Sequence, residues 1–467
     1  MIDPLGEKLL RTGIINDADL EKALERQKTQ GGRLGENLIA LGHLDKDTLD
    51  KFFKRNPPAP MSVTDTGLEL GQIADLLMKH MLFMGDFKIA DLSERVKLSL
   101  AVVESVLETL RRDKFVEVKG GTGYAAVTYT FKISDTGKIR AMELLDLCRY
   151  TGPAPVTLPD YRLMVETQTI KSAIVSEENV KKAFSHLVLN DTVLKRLGPA
   201  ISSGKAMFIY GPPGNGKTAI AETIGRLLPE TIYIPYALTV GGEIITVFDP
   251  VNHTPAEVPE DDNVDKRWIL VRRPVVITGG ELTLRMLDLD FNHISKYYEA
   301  SLQMKANNGI FIADDFGRQQ MEPQTFLNRW IVPLDRRIDF MTLHTGMKFS
   351  IPFDMLTVFS TNIEPKQLVD EAFLRRIPYK IKIDHPSERE YEAIFRKICK
   401  DNEIVFIEET FNYLMNTFYR KNNIKLNACH PRDIIDQIIV NSRYYRHPPK
   451  MSKEAIFEAW TNYFVEM

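Results

Sequence analysis

Ala206-Met207-Phe208-Ile209-Tyr210-Gly211-Pro212-Pro213-Gly214-Asn215-Gly216-Lys217-Thr218-Ala219 decides the fold, because it places an apolar strand, a glycine-rich turn and a helix start in one run. Helical character continues from Ala219 to Leu228. In that context the glycines let backbone N–H groups turn inward as an anion-binding nest. Lys217 then reaches the outer phosphates of a nucleotide, and Thr218 offers its hydroxyl to Mg²⁺ at the helix N-terminus. The run predicts a phosphate-binding loop on a parallel sheet, with Gly211 through Ala219 as contacting residues.

Two further apolar runs extend the expectation. Gly309-Ile310-Phe311-Ile312-Ala313 ends in Asp314-Asp315, and Leu356-Thr357-Val358-Phe359-Ser360-Thr361 ends in Asn362. Buried strands deliver such polar ends at their carboxyl edge, where ligands of open α/β sheets sit. Asp314 is expected to hold Mg²⁺ through water, and Asp315 to orient or deprotonate an attacking water.

In this order the motifs resemble those of AAA+ ATPases over roughly Ser185 to Met467. The resemblance implies an ATP- and Mg²⁺-dependent ATPase with an α/β core and a helical lid. It implies Asn362 as the sensor of the lytic water. In Asp370-Glu371-Ala372-Phe373-Leu374-Arg375-Arg376 it implies Arg376, with Arg375 in reserve, as the arginine that enters the next subunit's site. In His430-Pro431-Arg432-Asp433 it implies Arg432 as the second sensor on the γ-phosphate. A residue acting in trans implies a closed homo-oligomeric ring, a hexamer by the same resemblance. Asp315 stands where most of the superfamily has Glu, one methylene longer, which implies looser water positioning and slow hydrolysis.

Between the motif strands, Leu238 to Asn308 is longer than a plain core needs. It carries Gly241-Gly242, Gly279-Gly280, the acidic Glu260-Asp261-Asp262 and Tyr297-Tyr298. A β-hairpin or substrate-facing insertion is expected, with Tyr297 or Tyr298 either lining a pore or sitting in the core. Arg267-Trp268 to Asp288, Gly317-Arg318-Gln319 and Asn328-Arg329-Trp330 to Leu334 are similar to a group of bacterial AAA+ proteins described as chaperone-like ATPases, which implies a protein client.

Upstream, two back-to-back copies of an apolar pattern occupy residues 1–56, with Gly13 and Gly42 expected to end helices. Three prolines in Pro57-Pro58-Ala59-Pro60 predict a linker over 57–66. Residues 67–150 read as helix Gly71–Met84, helix Ile89–Val96, helix Ser99–Arg112 with Ser99 as N-cap, two strands around Gly120-Gly121-Thr122-Gly123, and helix Thr136–Cys148. That order resembles a winged helix. Its near-balanced charge argues for protein docking or spacing ahead of nucleic-acid binding, which rests on phosphate neutralisation. Residues 151–184 are expected to be an irregular connector, 185–386 the AAA+ core and 387–467 the lid. The fold class is therefore multidomain α/β, a P-loop parallel sheet with a helical lid behind a small helical repeat domain and a winged helix.

The N-terminal repeat resembles the MshEN domain at the front of type II secretion and type IV pilus assembly ATPases, some of which bind cyclic di-GMP. Leu5, Gly6, Leu9, Gly13 and Gln27 match in the first copy, and Arg33, Leu34, Gly35, Leu38, Gly42 and His43 in the second. Pro4 replaces the first Arg and Asn56 the second Gln, which removes a guanidinium suited to phosphate. The resemblance implies cyclic di-GMP as a regulatory ligand, against a purely protein-docking module.

Composition agrees with an ordinary globular chain. The 467 residues need several cores, and a formal net charge of −3 gives no global pull toward polyanions. No apolar run approaches the roughly 20 residues of a membrane span, and Met1-Ile2-Asp3-Pro4 lacks a signal-peptide layout, so a cytoplasmic protein without membrane insertion is expected. Cys148, Cys399 and Cys429 are too few and too scattered for a disulfide framework or a zinc cluster. The expected function is a protein-remodelling ATPase. The alternatives are an ATP-binding switch or scaffold with little turnover, and a DNA-binding transcription regulator.

Overall fold

A computed structural model describes residues 6, 9–10, 14–30, 34–45, 56–121, 129–172, 175–228, 231–257 and 264–464. Pro4, Leu5, Gly13, Arg33, the Thr122-Gly123 turn and Glu260-Asp261-Asp262 lie outside them.

The N-terminal unit packs α1 (Asp17–Gln30) against α2 (Leu34–Ala40). Leu9, Leu20, Ala23, Leu34 and Leu38 are its core, which is why leucine recurs at helical spacing there. Gly42 follows α2 at φ 74°, the left-handed end expected of it.

The second unit runs α3 (Leu70–Leu82), β1 (Asp86–Phe87), α4 (Ile89–Val96), α5 (Leu100–Arg112), β2 (Val116–Gly121), β3 (Tyr129–Ile133) and α6 (Asp135–Leu147). The strands form an antiparallel sheet in the order β1-β3-β2. Ser99 does precede α5, but its hydroxyl donates to the Pro60 carbonyl at 2.6 Å and makes no cap bond.

Two stretches expected to be irregular are built into the fold. In the proline cluster Pro58 bridges Val264, and Thr64–Thr66 forms a 3-10 turn with Thr66 buried. Arg267 holds this segment: its guanidinium pairs with Asp265 at 2.8 Å and donates to the carbonyls of Thr66 (2.9 Å) and Pro155 (3.1 Å). In the expected connector, Val156–Thr157 is a strand, β4. Thr157 then caps α7 (Leu158–Thr167), with α8 (Glu177–Ala183) and α9 (Asp191–Ser202) following. The prolines that suggested a connector end before Val156, and Pro159 sits at the tolerated first turn of α7.

The remaining strands follow as far as β17, with helices between some of them and, among the described residues, a run of seven strands from β6 to β12. They are β5 (Met207–Tyr210), α10 (Lys217–Gly225), β6 (Thr231–Pro235), β7 (Ala237–Val240), β8 (Glu243–Thr246), β9 (Trp268–Arg272), β10 (Val275–Thr278), β11 (Asp290–Asn292) and β12 (Tyr297–Glu299). Then come α11 (Leu302–Lys305), β13 (Ile310–Ala313), α12 (Pro323–Arg329), α13 (Ile331–Arg336), β14 (Ile338–Thr342), β15 (Lys348–Pro352), β16 (Leu356–Thr361), α14 (Pro365–Leu368), α15 (Glu371–Arg376) and β17 (Tyr379–Lys382). Among the described residues, β10-β13-β16-β5-β17 form a fully parallel sheet. Alternate residues explain its two cores. Met207, Ile209, Ile310 and Ile312 face Leu197, Ile220 and Ile224, while Phe208, Phe311 and Phe359 face Phe316, Phe326 and Trp330.

The long segment between the motif strands is not a lone hairpin but most of a second sheet, β11-β12-β8-β7-β4, with its own core. Tyr298 is 1% exposed in that core, and its hydroxyl accepts the His344 amide at 2.7 Å. Tyr297 packs edge-on against Tyr150 of the second unit, so neither tyrosine is presented as a pore residue.

Last comes a helical unit: α16 (Glu388–Asp401), α17 (Glu408–Leu414) running into a π turn at Met415–Arg420, α18 (His430–Tyr444) and α19 (Lys453–Tyr463). Ser387 and Glu390 close a capping box at its entry. Among the described residues no helix is long and apolar enough to cross a membrane.

Arg267 and Asp265 have side chains only 4% exposed, so removing one partner strands a buried charge. Asp265→Ala should cost about 3–5 kcal/mol in urea unfolding of the full chain, and should open residues 57–66 to limited proteolysis.

Candidate nucleotide site

Parallel register gathers the motif residues at one sheet edge. Ala313 pairs with Phe359 and Thr361 with Tyr210, so β13, β16 and β5 end at one level. The chain leaves β5 at Gly211, where φ is 144° and a Cβ would lie 2.0 Å from the Ile383 carbonyl oxygen. Only glycine fits there. Gly214, at φ 75°, is approached less closely from the other side: a Cβ would meet the Cys429 sulfur at 2.8 Å.

Lys217 opens α10, is 6% exposed and donates to the Pro212 carbonyl at 2.9 Å. Burial pushes its pKa down, and attraction to Asp315 and Asp314 works against that. The Thr218 hydroxyl donates to Asp314 Oδ2 at 2.7 Å, and Asn362 Nδ2 donates to Asp315 Oδ1 at 3.1 Å. Thus Lys217, Thr218, Asp314, Asp315 and Asn362, drawn from three separate motifs, meet. Thr218 and Asp314 supply hard oxygen donors, and a pair of protein ligands suits Mg²⁺, which keeps several of its waters.

The helical unit touches the loop directly. The Cys429 amide donates to the Gly214 carbonyl at 2.8 Å, and the Ala428 amide to Asn215 Oδ1 at 3.1 Å. Buried Asn215 also donates to the Pro212 carbonyl at 3.3 Å, so it is a strut between loop and lid. Behind these contacts runs a polar chain. His385 Nδ1 faces two acceptors, the Leu426 carbonyl at 2.9 Å and Asn427 Oδ1 at 2.8 Å, so it carries the proton. Asn427 Nδ2 then donates to His430 Nε2 at 3.2 Å, and His430 Nδ1–H reaches the Tyr419 hydroxyl at 2.9 Å. Tyr419 and Tyr391 share the next bond, 2.7 Å.

The two expected arginines stand outside this cluster of bonds. Arg376 Nε donates to Asp335 Oδ2 at 2.7 Å with its side chain 27% exposed, while Arg375 is exposed beside it. Arg432 is exposed on the first turn of α18. In the N-terminal unit Leu9, Leu34 and Leu38 are core residues, Gly6 abuts Leu20, and His43 Nδ1 lies 2.8 Å from Asp19 Oδ1. Gly35 is buried and Gln27 half-buried. Sequence reasoning missed Asn427, Ala428 and Cys429 as loop contacts. Their one signal is adjacency to His430-Pro431-Arg432. Among the described residues no His, Cys, Asp and Glu cluster has the makings of a separate metal site.

A family model described as a domain of unknown function (DUF8689) matches residues 387–462, the C-terminal helical unit. A vesicle-fusing ATPase of Dictyostelium discoideum is 44% identical over 48 residues, 10% of this chain, and the match spans only 6% of that relative's length. Among solved structures, a Thermotoga maritima RuvB mutant is similar at 12% identity and TM-score 0.32, over 62% of this chain and 72% of that one. NtrX from Brucella abortus in complex with ADP is similar at 12% identity and TM-score 0.36, over 60% and 56%. Likenesses of this order assign no activity.

The polar chain generates a pH prediction. Burial lowers the His430 pKa from 6.5 to about 4, with Asp433 opposing and His385 adding to the shift. Below pH 6.5 the unfolded chain binds a proton that the folded site refuses, so this part of stability is whole above 6.5 and falls as the pH drops toward 4. Comparing denaturation of the wild-type chain and His430→Gln across that window should show a flatter decline in the variant.

Proposed function

We propose that the chain is an ATP-hydrolysing AAA+ machine that works as a homo-oligomeric ring, a hexamer, on a protein client. The observation that carries this reading is the meeting of Lys217, Thr218, Asp314, Asp315 and Asn362 beside a glycine loop at the carboxyl edge of one parallel sheet. Loop amides and Lys217 bind the phosphates. Thr218 and Asp314 hold Mg²⁺, which supplies charge neutralisation at the phosphates. Asp315 and Asn362 orient the lytic water. Arg376 serves the neighbouring subunit's site; its bond to Asp335 is a partly exposed ion pair, worth about 0–1 kcal/mol and readily exchanged. Arg432 reports nucleotide state to the lid, which rests on the loop through residues 427–429.

Slow turnover is the second reading, an ATP-binding switch, because the shorter Asp315 is held against Asn362. DNA binding gains nothing from the charge-balanced second unit. Cyclic di-GMP is the proposed regulatory ligand of the N-terminal unit, with Arg33 as its guanidinium. Titration calorimetry should show heat that Arg33→Ala abolishes.

Nucleotide binding and steady-state phosphate release test the central reading. Lys217→Ala should lose nucleotide binding. Asp315→Asn should keep binding and lose about 10²–10⁴-fold in turnover. Full turnover in both variants overturns the reading, whereas binding without phosphate release in the wild-type chain leaves the switch.

A further inference from the structure

Asp315 sits at φ 46°, a left-handed conformation that a non-glycine residue keeps only where its surroundings over-determine it. On the β16 side the backbone does so: the Phe316 amide donates to the Ser360 carbonyl at 2.7 Å, and the Thr361 hydroxyl donates to the Phe316 carbonyl at 2.6 Å. The Phe316 ring is buried beneath. These bonds fix residue 316, and the Arg318 amide donates to the Asp315 carbonyl at 3.0 Å, while the Asp314 carbonyl meets a further partner.

That partner is Gln319. Its Oε1 accepts the Gly317 amide at 2.8 Å. Its Nε2 donates to the Asp314 carbonyl at 3.0 Å, with the Asp315 carbonyl at 3.3 Å and the Gly279 carbonyl at 3.4 Å. A primary amide has two N–H bonds, so one serves Asp314 and the other is shared between the two longer contacts. One nitrogen therefore spans the carbonyls on either side of the Asp315 α-carbon, the second of them also held by the Arg318 amide, and the span restrains both of the residue's dihedrals. Gly279 follows β10, and its amide is accepted by Glu281 at 2.8 Å, so the same side chain ties the carboxylate turn to the next strand's turn.

We infer that Gln319 is a positioning residue for hydrolysis, holding Asp315 in the left-handed conformation that keeps its carboxylate against Asn362. This rests on the hydrolytic reading above and adds to it a residue outside the motifs. Gln319 bonds to the turn's backbone and acts through Asp315, so its loss should lower turnover and spare nucleotide affinity.

Gln319→Glu keeps the acceptor for Gly317 and loses both donors; Gln319→Met loses all of these bonds at similar volume. In the full chain, kcat and KM for ATP are measured by phosphate release, and ADP affinity with Mg²⁺ by calorimetry. Both variants should lower kcat by about tenfold, the low end for a supporting partner of a reactive group, with KM and ADP affinity unchanged. Placed on Asp315→Asn, neither should lower kcat further, because the residue they act through is already disabled. Wild-type kcat in both variants, an equal loss of ADP affinity, or an additive loss on Asp315→Asn overturns this inference alone. Absence of phosphate release from the unaltered chain overturns the hydrolytic reading, and this inference with it.

Discussion

Three neighbouring parallel strands, β13, β16 and β5, share a register in which Ala313 faces Phe359 and Thr361 faces Tyr210, and the site's chemistry hangs on that alignment. A slip of one residue would exchange the faces of Asp314 and Asp315. Thr218 would lose its carboxylate and Asn362 its own. The register is held because β13 and β16 are buried on both faces, so each apolar residue has one place to go. Lys217 benefits from the same alignment, since the carboxylates that counter its desolvation arrive at that edge.

The lid reaches the loop through short polar contacts. Cys429 and Ala428 bind Gly214 and Asn215 through backbone amides, and the His385-Asn427-His430-Tyr419 chain sets those amides in place. A buried chain of this kind is sensitive to the loss of any member, because each remaining group is left desolvated and unpaired. Any shift of the helical unit relative to the loop would break contacts with the loop itself.

Farther from the loop, residues just before β9 and on β12 fasten the upstream unit to the rest of the chain. Arg267 grips the carbonyls of Thr66 and Pro155 while neutralised by Asp265, and Tyr297 meets Tyr150. The proline-rich segment is therefore packed into the fold and is not a free tether. Prolines restrict their own backbone, and here the restricted segment is also bonded on both sides.

Local chemistry was legible in the residues themselves. The loop from Gly211 to Thr218, the acid-ended strand and the Asn-ended strand each declare their element type through composition and order, because tight glycine turns and buried strands tolerate few alternatives. The helices of residues 70–112 were legible for the same reason, their apolar spacing having one helical solution. Hidden from such reading were β4, the second sheet and the bonds from Arg267 to the Thr66 and Pro155 carbonyls, which join residues far apart in the chain. Ser99 shows the limit plainly: a cap by its type, it is spent on Pro60 because that carbonyl happens to lie within reach. Gln319 is the same lesson at the site: the sequence marked it only as part of a resemblance, and its bonds to the turn appear only once the turn folds back on it. Sequence alone determined which residues end the apolar strands and open the helix after the glycine loop; tertiary structure alone decided which of them touch, since hydrogen bonds depend on distance in space and the sequence records only distance along the chain.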